Sequence, residues 1–209
     1  MDSVTEYKYK KFSIVKDKII FKNEQYSVND VTSISFYWEG QNVRTNFVSM
    51  GEDNQVYLTI YLSNRKNPIV VKYLGAHTRK IIFEDTYTKA ETLYKIYKHL
   101  AQLTFKQRLA KYVDEMDSHD YFSYAGAKFL KNSTVQLPKS NEVIDIADYR
   151  VSRTAFMIYL KEDKPEPSTI WGKVLKKVNG EPGYDFSTVA DQDVLFTLLD
   201  HYFGIRWSD

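Results

Sequence analysis

Apolar and polar positions alternate along most of this chain, and the alternation gives way to a helical period at two main places. From Tyr7 to Val15 apolar and charged residues roughly alternate, Asp17 marks a tight turn, and Ile19-Ile20-Phe21 begins another extended run, so this segment reads as a hairpin. Residues 31–38, 43–50, 56–62 and 69–74 read as further strands. They are separated by Glu39-Gly40-Gln41-Asn42, Gly51-Glu52-Asp53-Asn54 and Asn64-Arg65-Lys66-Asn67-Pro68, each of which carries turn chemistry. A strand over residues 79–84 would close the set. Several short strands with hairpin-length connections favour an antiparallel barrel or sandwich over a parallel sheet.

The period then changes. Leu93, Ile96, Tyr97, Leu100 and Leu103 follow helical spacing, and Phe105, Leu109, Tyr112, Val113 and Met116 continue it on a rotated stripe. A helix is predicted over about residues 87–116, capped by Asp85 or Thr86, with Lys106, Arg108 and Lys111 on its polar face and a bend or domain boundary near Thr104. At 1.5 Å per residue it would extend roughly 45 Å, more than one small barrel needs, so its second part is expected to serve as a connector.

Strand patterns return over residues 121–125, 128–131, 134–137, 143–151 and 154–160. A polar loop over residues 161–167 and the turn Asn179-Gly180-Glu181-Pro182-Gly183 follow. Residues 169–178 suit either a short helix or a strand. Val194, Leu195, Leu198, Leu199, Tyr202 and Phe203 form a last amphipathic helix, with Ser187 or Asp191 at its start and Gly204 as its stop. The two halves repeat one order, several antiparallel strands and then a helix. Phe12-Ser13 with Lys22-Asn23 echoes Phe122-Ser123 with Lys131-Asn132, and Ile60-Tyr61-Leu62-Ser63 echoes Ile158-Tyr159-Leu160-Lys161, as expected of a tandem repeat.

Composition narrows the function classes. The 209 residues suffice for one large or two small domains, and 8 Gly with 5 Pro fit neither a disordered nor a low-complexity chain. The 17 Tyr, 12 Phe and 3 Trp lean the composition towards strands. Zero cysteine excludes disulfides, zinc ribbons and thiol nucleophiles and is compatible with a cytoplasmic setting. The start Met1-Asp2-Ser3-Val4-Thr5-Glu6 does not read as a secretory signal, and no apolar run approaches the roughly 18 residues of a membrane span. The net charge of +2 is too balanced to imply nucleic acid, although 15 basic against 11 acidic residues up to Thr104 leave the first half the more basic.

Ala125-Gly126-Ala127-Lys128-Phe129-Leu130 before Asn141-Glu142-Val143-Ile144-Asp145-Ile146 resembles the early strands of bacterial pleckstrin-homology-like (PH-like) domains. Trp171-Gly172-Lys173-Val174 followed by residues 189–199 resembles the tryptophan segment and closing helix of some of them. The resemblance covers nearly the whole chain as two copies. It implies a mainly β, α+β fold of two bent antiparallel barrels, each closed by a carboxy-terminal helix, with the first helix long: residues 1–104, a helical connector over 105–119, and residues 120–209. It also implies a binding domain without a catalytic centre or cofactor, taking lipids, peptides or proteins.

Lys16-Asp17-Lys18, flanked by Lys10, Lys11 and Lys22, is the candidate anionic-lipid surface, on a turn too short to form a basic cup for an inositol phosphate. Phe36-Tyr37-Trp38 and the segment 42–50, longer than its counterpart in the second half, form a candidate aromatic protein-binding edge. Tyr7-Lys8-Tyr9-Lys10-Lys11-Phe12 interleaves aromatic and basic residues as single-stranded nucleic acid would require, but a half-buried strand gives the same pattern. His77, His99, His119 and His201 have no metal-ligand spacing, and no phosphate-cradling glycine loop occurs. Asp117-Ser118-His119-Asp120 holds the side-chain types of a nucleophilic triad, which makes a hydrolase-type pocket between the halves the competing reading. Asp145 with Asp148, and Asp191 with Asp193, are the paired carboxylates; the second pair suits the positive end of a helix dipole. The expectation is a cytoplasmic binding or scaffolding protein whose partner is a protein, with peripheral binding to anionic membrane as the alternative.

Overall fold

The computed structural model describes residues 6–45, 48–75, 84–137, 142–154, 157–162, 183–185, 190–204 and 207–208. The chain divides into two compact units, Met1–Arg108 and Leu109–Asp209. The division falls four residues past the change of stripe at Thr104. The fold is α+β, with antiparallel sheets and two described helices.

Unit 1 opens with a four-stranded meander: β1 (Glu6–Tyr9), β2 (Phe12–Val15), β3 (Lys18–Phe21) and β4 (Glu24–Ser27), each hydrogen-bonded to the next. Tyr7 to Val15 is therefore two strands, where the alternation suggested one. Tyr9 pairs directly with Phe12 across a turn at Lys10-Lys11, and both side chains are buried. A continuous strand sends positions three apart to opposite faces, so the turn is what lets both enter the core. The short 3-10 helix Val28–Asp30 leads out of the meander, its start capped by the Ser27 hydroxyl accepting from the Asn29 amide at 3.1 Å.

The second sheet has the order β5 (Val31–Thr45), β6 (Val48–Leu62), β7 (Ile69–Leu74). The turns expected at residues 39–42 and 51–54 are strand instead. They pair with each other, Gln41 with Asp53 and Asn42 with Glu52, because ladder bonds use only the backbone and so accept polar residues. Ile34, Leu58, Ile60 and Ile69 lie on the inner face and are buried. The expected strand over 79–84 falls outside the described residues up to 83, and Glu84 opens a helix.

That helix, α1 (Glu84–His119), is one element of 36 residues. Ala90, Leu93, Ile96 and Leu100 bury its first part in unit 1, and Tyr112 and Met116 bury its last part in unit 2. Arg108, expected on the polar face, is 1% exposed. Its Nε donates to Thr104 Oγ1 at 2.9 Å and its Nη2 to the Ala101 carbonyl at 2.9 Å, so one side chain and one backbone carbonyl of the helix itself help to satisfy the buried guanidinium.

Unit 2 repeats the order: a meander of β8 (Tyr121–Tyr124), β9 (Ala127–Leu130), β10 (Thr134–Gln136) and β11 (Val143–Asp145), then a 3-10 helix (Ile146–Asp148), then the hairpin β12 (Tyr149–Thr154) and β13 (Met157–Glu162). The single strand expected over 143–151 is thus broken at residues 146–148. β14 (Gly183–Asp185) pairs with β13, helix α2 (Gln192–Phe203) follows, and β15 (Trp207–Ser208) lies parallel to β12. Residues 169–178 lie outside the described residues. Phe122 stacks on Phe129 at 4.9 Å, and Phe203 of α2 approaches both rings at about 6 Å, so aromatic packing fastens α2 to the first hairpin of its own unit. Gly204 ends α2 in the left-handed region, φ 57°, with its amide donating to the Asp200 carbonyl, as its position after the last apolar residue predicted.

Candidate functional site

The structure separates the five lysines that the sequence grouped. Lys10, Lys11 and Lys22 share one end of the first meander, where the Lys22 amide donates to the Lys11 carbonyl at 3.0 Å. Lys16 and Lys18 flank the β2–β3 turn at the opposite end, where the Val28 amide donates to the Asp17 carbonyl. An antiparallel meander forces this split, because alternate turns fall at opposite ends. All five are exposed. The Lys10 ammonium lies 5.2 Å from the Tyr9 ring and that of Lys22 5.2 Å from the Phe21 ring. The guanidinium of Arg65, from the β6–β7 loop, lies over Phe21 at 5.9 Å and Tyr26 at 5.5 Å. The Tyr26 hydroxyl donates to the Glu24 carboxylate, which raises the phenol pKa, chiefly through that hydrogen bond.

The aromatic triplet is divided by strand alternation. Phe36 is buried, stacked on Tyr97 of α1 at 4.8 Å, and so belongs to the core and not to a binding edge. Trp38, half-buried on the same face, donates its indole Nε1 to Asn54 Oδ1 at 2.7 Å. Asn54, expected in a turn, is buried in β6, and the clue to it was the need of a half-buried indole for an acceptor. Tyr37 alone points outward. Its hydroxyl donates to Glu39 at 2.8 Å, a bond that raises its pKa, and its ring lies 6.2 Å from that of Tyr57, its partner across the ladder.

The outward face of β5–β7 is defined by register. Ser33 pairs with Tyr61; Ser35, Thr59 and Val70 form one row; Tyr37, Tyr57 and Lys72 the next; Glu39, Gln55 and Leu74 the last. Among the described residues five large hydrophobics are exposed, and three of them, Tyr61 (42%), Val70 (43%) and Leu74 (51%), share this one face. A concentration of this kind marks an interaction surface more than scattered exposure does.

β6 pairs with β7 from Gln55 to Ile60, and the Gly75 amide just beyond β7 still donates to the Asn54 carbonyl at 2.8 Å, so among the described residues 41–45 and 48–53 pair only with each other. They form a two-stranded arm running past the third strand. A register shift between Val43 and Arg44 leaves Met50 as the extra residue of a bulge. In unit 2 the corresponding strands β12 and β13 have six residues each.

Among the described residues the chemistry-bearing groups of unit 2 do not assemble. Asp117, Ser118, His119 and Asp120 are all exposed; the His119 ring stacks on Tyr121, and the Asp120 carboxylate meets the Lys131 ammonium at 3.4 Å. Asp145 Oδ1 accepts from the Ala147 amide at 2.9 Å, which stabilises the bend into the 3-10 helix. Asp191 occupies the N-cap position of α2 but makes no side-chain cap. It is buried with φ 61°, and its carboxylate accepts the Tyr112 hydroxyl at 3.1 Å, so it joins α2 to the unit 2 part of α1. Among the described residues no group of three metal-ligating side chains occurs, and no helix is long and apolar enough to cross a membrane. Comparison with protein-family models, curated proteins and solved structures gives no match to the chain.

Proposed function

We propose that the chain is a tandem PH-like protein acting as a non-catalytic binding or scaffolding module, and that a protein partner docks on the β5–β6 arm of its first unit. Support for the PH-like reading comes from the shared order of the two units, a four-stranded meander, a 3-10 helix, a sheet opened by a hairpin, and a helix. The Ile60 echo falls on corresponding strands, β6 and β13, whereas the Phe12 echo joins β2 to β8 and contributes nothing.

The docking role is carried by one observation: strands of 15 residues in unit 1 against six in unit 2. A two-stranded ribbon is marginal in water on its own, so an arm that outruns its third strand gains from a surface that covers it. The test places a photo-reactive phenylalanine analogue at Arg44 in cells. A discrete heavier adduct, absent when the analogue stands instead at exposed Lys16 of the meander, supports the reading. Unmodified chain alone after irradiation defeats it.

A second reading, peripheral binding to anionic membrane, draws on the convergence of Lys10, Lys11 and Lys22. Three lysines near a charged surface contribute on the order of 3 kcal/mol. Co-sedimentation with phosphatidylcholine vesicles, with and without phosphatidylserine, tests it. Equal binding to both, or none, removes it.

A further inference from the structure

We propose that the outward face of the β5–β7 sheet is a self-association surface, on which a second copy of this chain packs about a two-fold axis. The face carries Tyr61, Val70 and Leu74 largely exposed, with Tyr37 and Tyr57 half-buried between them. Its charges sit at opposite edges: Glu39 on β5 and Lys72 on β7, with β6 between.

That distribution is self-complementary. When two such sheets face each other about 10 Å apart, a two-fold axis parallel to the strands lays β5 of one copy over β7 of the other. Glu39 then faces the partner copy's strand that bears Lys72, and the symmetry makes the contact twice. The two residues lie in adjacent rows, about 7 Å apart along the strand, a distance that long side chains and the usual angle between packed sheets absorb. The Glu39 carboxylate is already oriented by the Tyr37 hydroxyl at 2.8 Å. Tyrosines at the centre supply rigid, amphipathic contact of the kind interfaces favour.

The face spans three strands and four rows, roughly 14 Å by 24 Å, which is smaller than the ~800 Å² per partner of a standard interface. The association is therefore weak and exchanging, and the dimer is read by concentration dependence. This surface ends at the row of Glu39, Gln55 and Leu74, before the arm at residues 41–45 and 48–53, so the two proposals fail separately.

Sedimentation velocity on the full chain, from about 1 μM to about 1 mM, bracketing the micromolar range of weak complexes, tests it. The weight-average mass is expected to rise from 24.6 kDa towards twice that value. Val70→Lys and Leu74→Lys hold the protein at the monomer mass with unchanged circular dichroism. Glu39→Lys and Lys72→Glu each weaken association at least fivefold, and the double variant restores it. Should the exposed-position variants fail to fold, the charge-swap pair still decides. A mass fixed at 24.6 kDa throughout, or a dimer indifferent to Val70→Lys and to the charge reversals, overturns the proposal.

Discussion

Gln107 of α1 holds the joint between the two sheets of unit 1, and its removal tests how that unit is held together. Its Nε2 donates to the Val28 carbonyl at 3.0 Å and to the Val31 carbonyl at 2.8 Å, the two ends of the 3-10 helix across which the chain passes from meander to second sheet. Val28 and Val31 are buried. Each such bond contributes about 1 kcal/mol net, and a buried carbonyl left without a donor costs about 1–3 kcal/mol. Val28 O keeps the Val31 amide, and the half-buried Gln107 position admits water, so both figures are reduced. Gln107→Ala should therefore cost about 1–2 kcal/mol, and Gln107→Glu more, because a carboxylate offers no donor and sets negative charge against two carbonyl oxygens. Urea unfolding followed by unit 1 fluorescence measures the loss, and amide exchange around Val28–Val31 localises it. The reasoning is refuted if Gln107→Ala lies within about 0.3 kcal/mol of the parent and Gln107→Glu is no worse.

Three further outcomes are expected. Phe36→Ala should cost about 3–5 kcal/mol by thermal or urea unfolding, since the ring is buried and stacked on Tyr97; a surface-sized effect under 1 kcal/mol would return Phe36 to the binding edge. Gly204→Ala should cost about 1 kcal/mol through backbone conformation alone, because φ is 57° and an added Cβ meets nothing within 4 Å; no loss of α2 stability would contradict the left-handed cap. Burial against the Tyr7 ring, 4.1 Å away, pushes the His99 pKa below its ordinary 6.5. The unfolded chain then binds the proton more readily, so this contribution is complete above pH 6.5 and is lost as pH falls towards the depressed value. A His99 midpoint at or above 6.5 by NMR, or a pH–stability slope unchanged in His99→Phe, counts against it.

Much of the fold was legible because burial imposes period. The alternation of β7, Ile69, Val71 and Tyr73 inward and Val70, Lys72 and Leu74 outward, is written in the residues, and so are the helical spacing of α1 and the Gly204 stop. The missed first hairpin also left a trace: the alternation slips parity at Lys10-Lys11, between Tyr9 and Phe12. No Gly or Asn marks that turn, and Lys10 adopts φ 51° at a cost that the burial of two aromatic rings offsets. The candidate site was less legible. Lys10 and Lys18 are near in sequence but belong to opposite ends of a meander, and Phe36 and Tyr37 are adjacent but face opposite ways.

Sequence by itself determined the order of strand-rich and helical stretches along the chain, where α2 stops, and that cysteine chemistry is excluded. Only the tertiary structure decided where the chain turns when turn residues are lacking, that the polar runs at 39–42 and 51–54 pair as an arm, and that Arg108, Asn54 and Asp191 are interior. The physical reason is common to all three. Local pattern reports what one segment can bury, whereas the fate of a polar side chain depends on what supplies its hydrogen bonds once the chain is packed, as Thr104 one turn back does for Arg108, and as Trp38 and Tyr112 from other elements do for Asn54 and Asp191.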